Sequence, residues 1–101
     1  MELDEFRQSL GDDAPPPGLS PALRALWHDA RGNWASAHEL AQSDSSRAAA
    51  WVHAYLHRKE GDAGNAAYWY RRAGRLMSHD SLEAEWENIA YALLADPHEE
   101  R

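Results

Sequence analysis

Apolar positions recur along this chain at helical spacing, and nowhere do they alternate with polar ones over the run of residues that marks a half-buried strand. β-Branched aliphatics are nearly absent, with one Val and one Ile in the whole sequence. The pattern predicts an all-α protein, a short array of antiparallel helical hairpins made of about five helices plus a short N-terminal one. Leu3, Phe6 and Leu10 form a first brief stripe that Gly11 stops. The segment Asp12 to Gly18, with Pro15, Pro16 and Pro17, reads as a stiff extended connector. Ser20 then caps a helix with Pro21 at its first position, and Leu23, Leu26, Trp27 and Ala30 make its inner face up to Gly32. Asn33 caps the next, with Trp34, Ala37, Leu40 and Ala41 inward, until Ser43–Ser46 breaks it.

From Arg47 to Glu60 a longer helix carries Ala48, Ala49, Trp51, Val52, Tyr55 and Leu56, an apolar surface wide enough to need neighbours on more than one side. Gly61 ends it, and Asp62 caps a helix with Ala66, Trp69, Tyr70 and Ala73 inward, closed by Gly74. Asp80, with Glu83 three residues on, predicts a capping-box start for a last helix whose stripe is Leu82, Trp86, Ile89, Ala90 and Leu93. The expected organisation is a short helix and Pro-rich connector over 1–19, one hairpin domain over 20–96 acting as a continuous core with the last helix capping the array, and a frayed tail over 97–101.

Two stretches share one phrase, Gly32-Asn33-x-x-x-Ala37 and Gly61-Asp62-x-x-x-Ala66, offset by 29 residues (61 − 32). In each, the Gly ends a helix, the Asn or Asp caps the next, and a small Ala one turn in lets the two helices approach. Ala25 and Ala54, each seven residues before its Gly, put small side chains on the facing helices. This design resembles the tetratricopeptide repeat: Ala54, Gly61, Asp62, Ala66, Tyr70 and Ala73 match one hairpin of that family, and Ala25, Gly32, Asn33, Trp34 and Ala37 part of another. The period is shorter than the family's, and neither hairpin carries its terminal Pro. The stretches GNWASAHELAQ and WVHAYLHRKEGDAGNAAYWYRRAGR also resemble a family of small bacterial proteins with eukaryotic relatives and no established activity. The first resemblance implies a protein- or peptide-binding repeat; the second implies no chemistry.

Charge changes the picture more than composition does. The net figure of −7 hides a basic island: residues 1–20 sum to −4, 21–46 to −1, 47–75 to +4 and 76–101 to −6. Arg47, Arg58, Lys59, Arg71, Arg72 and Arg75 face only Glu60 and Asp62 within it. It is either an anion-binding surface or a patch balanced by Glu83, Glu85 and Glu87, and the low worth of exposed pairs makes balance the simpler reading. The acidic total argues against nucleic acid and anionic lipid as partners. Zero Cys removes disulfides, thiolate metal sites and cysteine nucleophiles. With no basic-apolar leader at MELDEF and no long apolar run, the expectation is a soluble cytoplasmic protein.

Two groups of side chains could carry chemistry. His53 and His57 stand one helical turn apart, a spacing at which two imidazoles share a metal, but no HExxH accompanies them and no third ligand stands at a defined spacing. The simpler reading is interhelix histidines bonded to Tyr, backbone or acid groups, so no metal or cofactor is expected. In Tyr68-Trp69-Tyr70 successive residues point 100° apart, so all three cannot face one core. With Trp69 and Tyr70 inward, Tyr68 shares an outer stripe with Asn65, Arg72 and Arg75, and Arg71 and Arg58 lie nearby. An aromatic wall beside guanidinium groups suits a carboxylate or an acidic peptide; against that stands a Tyr that merely covers its own helix. Trp27, Trp34, Trp51 and Trp86 read as core. The expectation is therefore a non-catalytic module binding a protein or acidic peptide through Asn65, Tyr68, Arg71, Arg72, Arg75 and Arg58. The alternatives are a small-molecule or metal site at His53 and His57, conceivably catalytic, and a homo-oligomer joined through exposed ends of the array.

Overall fold

The computed structural model describes residues 1–95 and is all-helical over them. The helices are α1 (Leu3–Gln8, continued by a 3-10 turn, Ser9–Gly11), α2 (Pro21–Ala30), α3 (Trp34–Gln42), α4 (Arg47–Lys59), α5 (Ala63–Ala73) and α6 (Leu82–Ala95). The expected tail at 97–101 lies outside the described residues.

Local chemistry explains the boundaries. Ser20 Oγ accepts from the Leu23 amide with Pro21 behind it, Asn33 accepts from Ser36, Ser46 from Ala49 and Asp62 from Asn65. Gly32 and Gly61 sit at φ +81° and +90° between the helices of each hairpin, a region costly to any residue with a Cβ. The start of α6 differs from expectation. Ser81, not Asp80, is the cap, its Oγ accepting from the Ala84 amide, while the Asp80 carbonyl is turned toward Arg58.

The tightest pairings are α2 with α3 and α4 with α5, the two hairpins, and α3 and α4 join them. Ala54 and Ala66 meet beneath Tyr70 in one small core, all three within 2% of full burial. The larger core gathers Ala25, Leu26, Ala37, Val52, Leu56 and Ile89, all without exposure. α6 does not cap the end of the array. It lies across α2 and α4 and reaches α1, because those helices still offer apolar surface after pairing with α3 and α5, and the Trp86–Ile89–Ala90–Leu93 stripe covers it. The N-terminal helix joins the same core: Phe6 is fully buried and stacks on Trp86 at 5.7 Å, and the Trp27 indole donates to Ser9. Trp27 and Trp86 are core as expected; Trp34 and Trp51 are only half-buried, each lying at a seam between helices. No helix among the described residues is long and apolar enough to cross a membrane.

Candidate functional site

Two polar networks lock α4 to α2 and α6. Buried Asp29 accepts from the Tyr55 hydroxyl at 3.2 Å and from Lys59 Nζ at 3.0 Å. Buried Glu85 accepts from Arg58 at 2.7 Å and from the Tyr70 hydroxyl. Burial, then the carboxylate each one bonds, pushes both tyrosine hydroxyls well above their usual range. Arg58, one of the expected binding residues, is half-buried, and its guanidinium donates to Glu85 and to the Asp80 carbonyl.

The opposite side of α4 is built differently. His53 and His57 lie one turn apart there, with ring centroids 4.9 Å apart, and α3 delivers a third imidazole. His38 Nε2 is 3.0 Å from His53 Nε2, a hydrogen bond in which one ring donates and the other accepts. One ring nitrogen from each of the three lies within 4.8 Å of the others. Trp34 stacks on His38 at 4.9 Å and Trp69 on His53 at 3.9 Å, so the rings are walled in place. Trp34 is itself anchored by its indole N–H to the Leu56 carbonyl, 3.0 Å away. His57 Nδ1 bonds Glu60 Oε1 at 2.6 Å, an acid group among the Tyr, backbone and acid partners that the sequence left open. His53 Nδ1 is buried without a partner, a condition shared among the described residues only with Arg24 Nε on α2. Burial, then the charges of His38 and His57, pulls His53 down to about 4; burial, then His57, also lowers His38, against the pull of Glu60.

Trp69 connects this cluster to the expected basic-aromatic stripe. On its outer side Arg72 lies over the Trp69 ring at 5.3 Å and over Tyr68 at 5.8 Å, and donates to the Tyr68 hydroxyl at 3.2 Å. Tyr68 is 44% exposed. Arg75 packs on Trp51 at 3.7 Å, beside a cleft it lines with Arg47 and Gly74. A second cleft, across the first turn of α4, is lined by Trp69, Arg72 and the loop that carries Asp44. Asn65 is exposed but occupied, its amide donating to Asp62 at 2.7 Å. Arg71 is exposed. Of the six expected binding residues, Tyr68, Arg71, Arg72 and Arg75 are exposed, Asn65 bonds the cap residue Asp62, and Arg58 is half-buried and bonded to Glu85.

Sequence reasoning missed His38. A signal existed: α3 and α4 are joined by a four-residue loop, Ser43 to Ser46, and His38 lies five residues before it and His53 seven after. Helices that fold back over so short a loop bring such positions side by side. No protein-family model, no curated protein and no solved structure matches the chain.

Proposed function

We propose that the protein is a non-catalytic helical-hairpin module, tetratricopeptide-like in layout, that binds an acidic segment of a cytoplasmic protein or peptide at the corner where α5 ends beside the start of α4. One observation carries this reading. Among the described residues, Arg47, Arg71, Arg72 and Arg75 make no ion pair, in a chain whose net charge is −7. The acidic segment near the island neutralises Arg58 through Glu85 and spends Glu87 on Arg7, leaving these four cations unanswered.

Their presentation supports a carboxylate ligand. Arg72 and Arg75 are held against aromatic faces, so they lose less freedom on engaging a partner than unsupported side chains would. A guanidinium also matches a carboxylate bidentately, which a Lys patch would not. The test is fluorescence anisotropy of a labelled Glu/Asp-rich peptide. Saturable binding is expected, weakened roughly tenfold by Arg72→Ala, as for one charge-assisted bond, and weakened further by salt. Binding that survives the double reversal Arg72→Glu with Arg75→Glu rejects the reading.

A further inference from the structure

We propose that His38, His53 and His57 form a site for one divalent transition-metal ion, zinc above all, with three imidazole ligands and a fourth position open on the α3 side. The inference does not depend on the peptide reading, which uses different residues.

The geometry is close to what zinc requires. A tetrahedral ion with metal–nitrogen bonds of about 2.0–2.1 Å holds its ligand nitrogens about 3.3 Å apart. His38 and His53 already stand at 3.0 Å through their Nε2 atoms, and one ring nitrogen from each of the three imidazoles lies within 4.8 Å of the others. Small rotations about the side-chain torsions close the remainder. Two ligands one turn apart on a rigid helix and a third from its packed neighbour are a preorganised set, and the stacking of Trp34 and Trp69 limits how far the rings can stray.

A second feature points the same way. His57 presents Nδ1 to the Glu60 carboxylate at 2.6 Å, which leaves its Nε2 as the ligand atom. A carboxylate on the outer nitrogen is the usual partner of a metal-bound histidine, fixing its tautomer and raising its basicity. His53 is also a costly filler: its Nδ1 is buried with no partner, at a residue 3% exposed, whether its Nε2 faces His38 or an ion. A core that needed only a filler here would use apolar side chains, which carry no such cost.

The donor set selects the ion. Three neutral nitrogens with no thiolate suit zinc, and also cobalt, nickel and copper, over the oxygen-seeking magnesium and calcium. Three protein ligands with an open position is the arrangement of zinc sites that keep a place for water or a ligand, as opposed to the closed four-ligand structural ones. A surface cleft of about 490 Å³ along α3, lined by Trp34, His38, Glu39, Gln42 and Ser43 among others, opens beside His38.

The experiment is calorimetric titration of the full chain, stripped with chelator, with zinc, and in parallel with cobalt followed by its visible absorption. One equivalent is expected to bind, with the intense bands of four- or five-coordinate cobalt. His38→Gln, at a half-exposed position, should leave the circular dichroism intact and weaken zinc by about 100-fold or more. Glu60→Gln should weaken it by about 10–100-fold, as loss of an outer partner does. Removal of exposed His79 by His79→Gln should change nothing. Two results overturn the proposal. One is the absence of saturable binding at one equivalent. The other is binding that persists in His38→Gln but is lost in Asp62→Asn, which would put the ion on the other side of His57 with Glu60 and Asp62, where ligand atoms also lie within 4.8 Å.

Discussion

α4 carries polar groups on two opposite sides, and the fold treats them in contrary ways. Toward α2 and α6, Tyr55, Arg58 and Lys59 all reach a buried carboxylate, and each of those carboxylates, Asp29 and Glu85, accepts from two side chains. Toward α3 and α5, His53 has only another imidazole, its Nδ1 has nothing, and the arginines past Trp69 make no ion pair among the described residues. A closed network specifies one packing of helices, because each member left alone would cost its own desolvation. An open one contributes less to folding and leaves bonding capacity for something else, the local inconsistency expected at a functional site. The contrast separates two uses of the same residue type. Arg58 is fourteen residues before Arg72, yet the first is structural and the second available.

The largest effect should come from the closed side. Glu85→Ala removes the acceptor of Arg58 and of Tyr70 together, and breaking a buried pair from one end costs roughly 3–5 kcal/mol. Urea denaturation measures it directly. A loss below about 1 kcal/mol would place this network with exposed ion pairs and dissolve the contrast.

The open side should reveal itself through pH. With His53 held down to about 4 by burial and by its imidazole neighbours, the unfolded chain takes up this proton first, near 6.5. The stability tied to neutral His53 is therefore whole above pH 6.5 and falls as the pH drops toward 4, by up to about 3 kcal/mol. His38 from α3 acts in the same direction, and Glu60 opposes it. Denaturation in chelator at a series of pH values checks this, with His53→Gln as the comparison. Equal slopes for the two proteins between pH 6.5 and 4 would mean that the histidine is freely solvated in solution.

What could be read from the chain follows the range of the interactions involved. Caps at Ser20, Asn33 and Asp62, and the glycines after α2, α4 and α5, depend on neighbours a few residues away, and the sequence carries them openly. Ser81 and Asp80 are both competent caps, and the choice fell to Ser81 because a distant side chain, Arg58, claims the Asp80 carbonyl. Burial of the Asp29 and Glu85 carboxylates was illegible for the same reason: an acid looks solvent-facing until a Tyr and a cation from another helix arrive. Periodicity shows that Trp34 and Trp51 belong to an apolar face, but not that the face ends at a seam. The site was half legible. The i, i+4 histidines and the outward Tyr68 stripe are properties of single helices, whereas His38 enters only when α3 is laid against α4.

The smallest expected effect is the one that sharpens the comparison most. Tyr68 is 44% exposed and Arg72 touches it from outside, so Tyr68→Ala and Arg72→Ala should each leave the free energy of unfolding within about 0.5 kcal/mol of the parent. A Tyr used as packing would instead cost about 3 kcal/mol or more on truncation. The same two changes should weaken an acidic peptide by about 1–3 kcal/mol each, since an aromatic wall and a charge-assisted bond are lost at a contact that a bound peptide dries. Glu85→Ala provides the opposite pattern, large on stability and small on binding once its remaining folded fraction is accounted for. If Tyr68→Ala moved stability and binding in proportion, the exposed corner would be part of the scaffold, and the division of α4 into a closed and an open side would fail at the point where it separates structure from recognition.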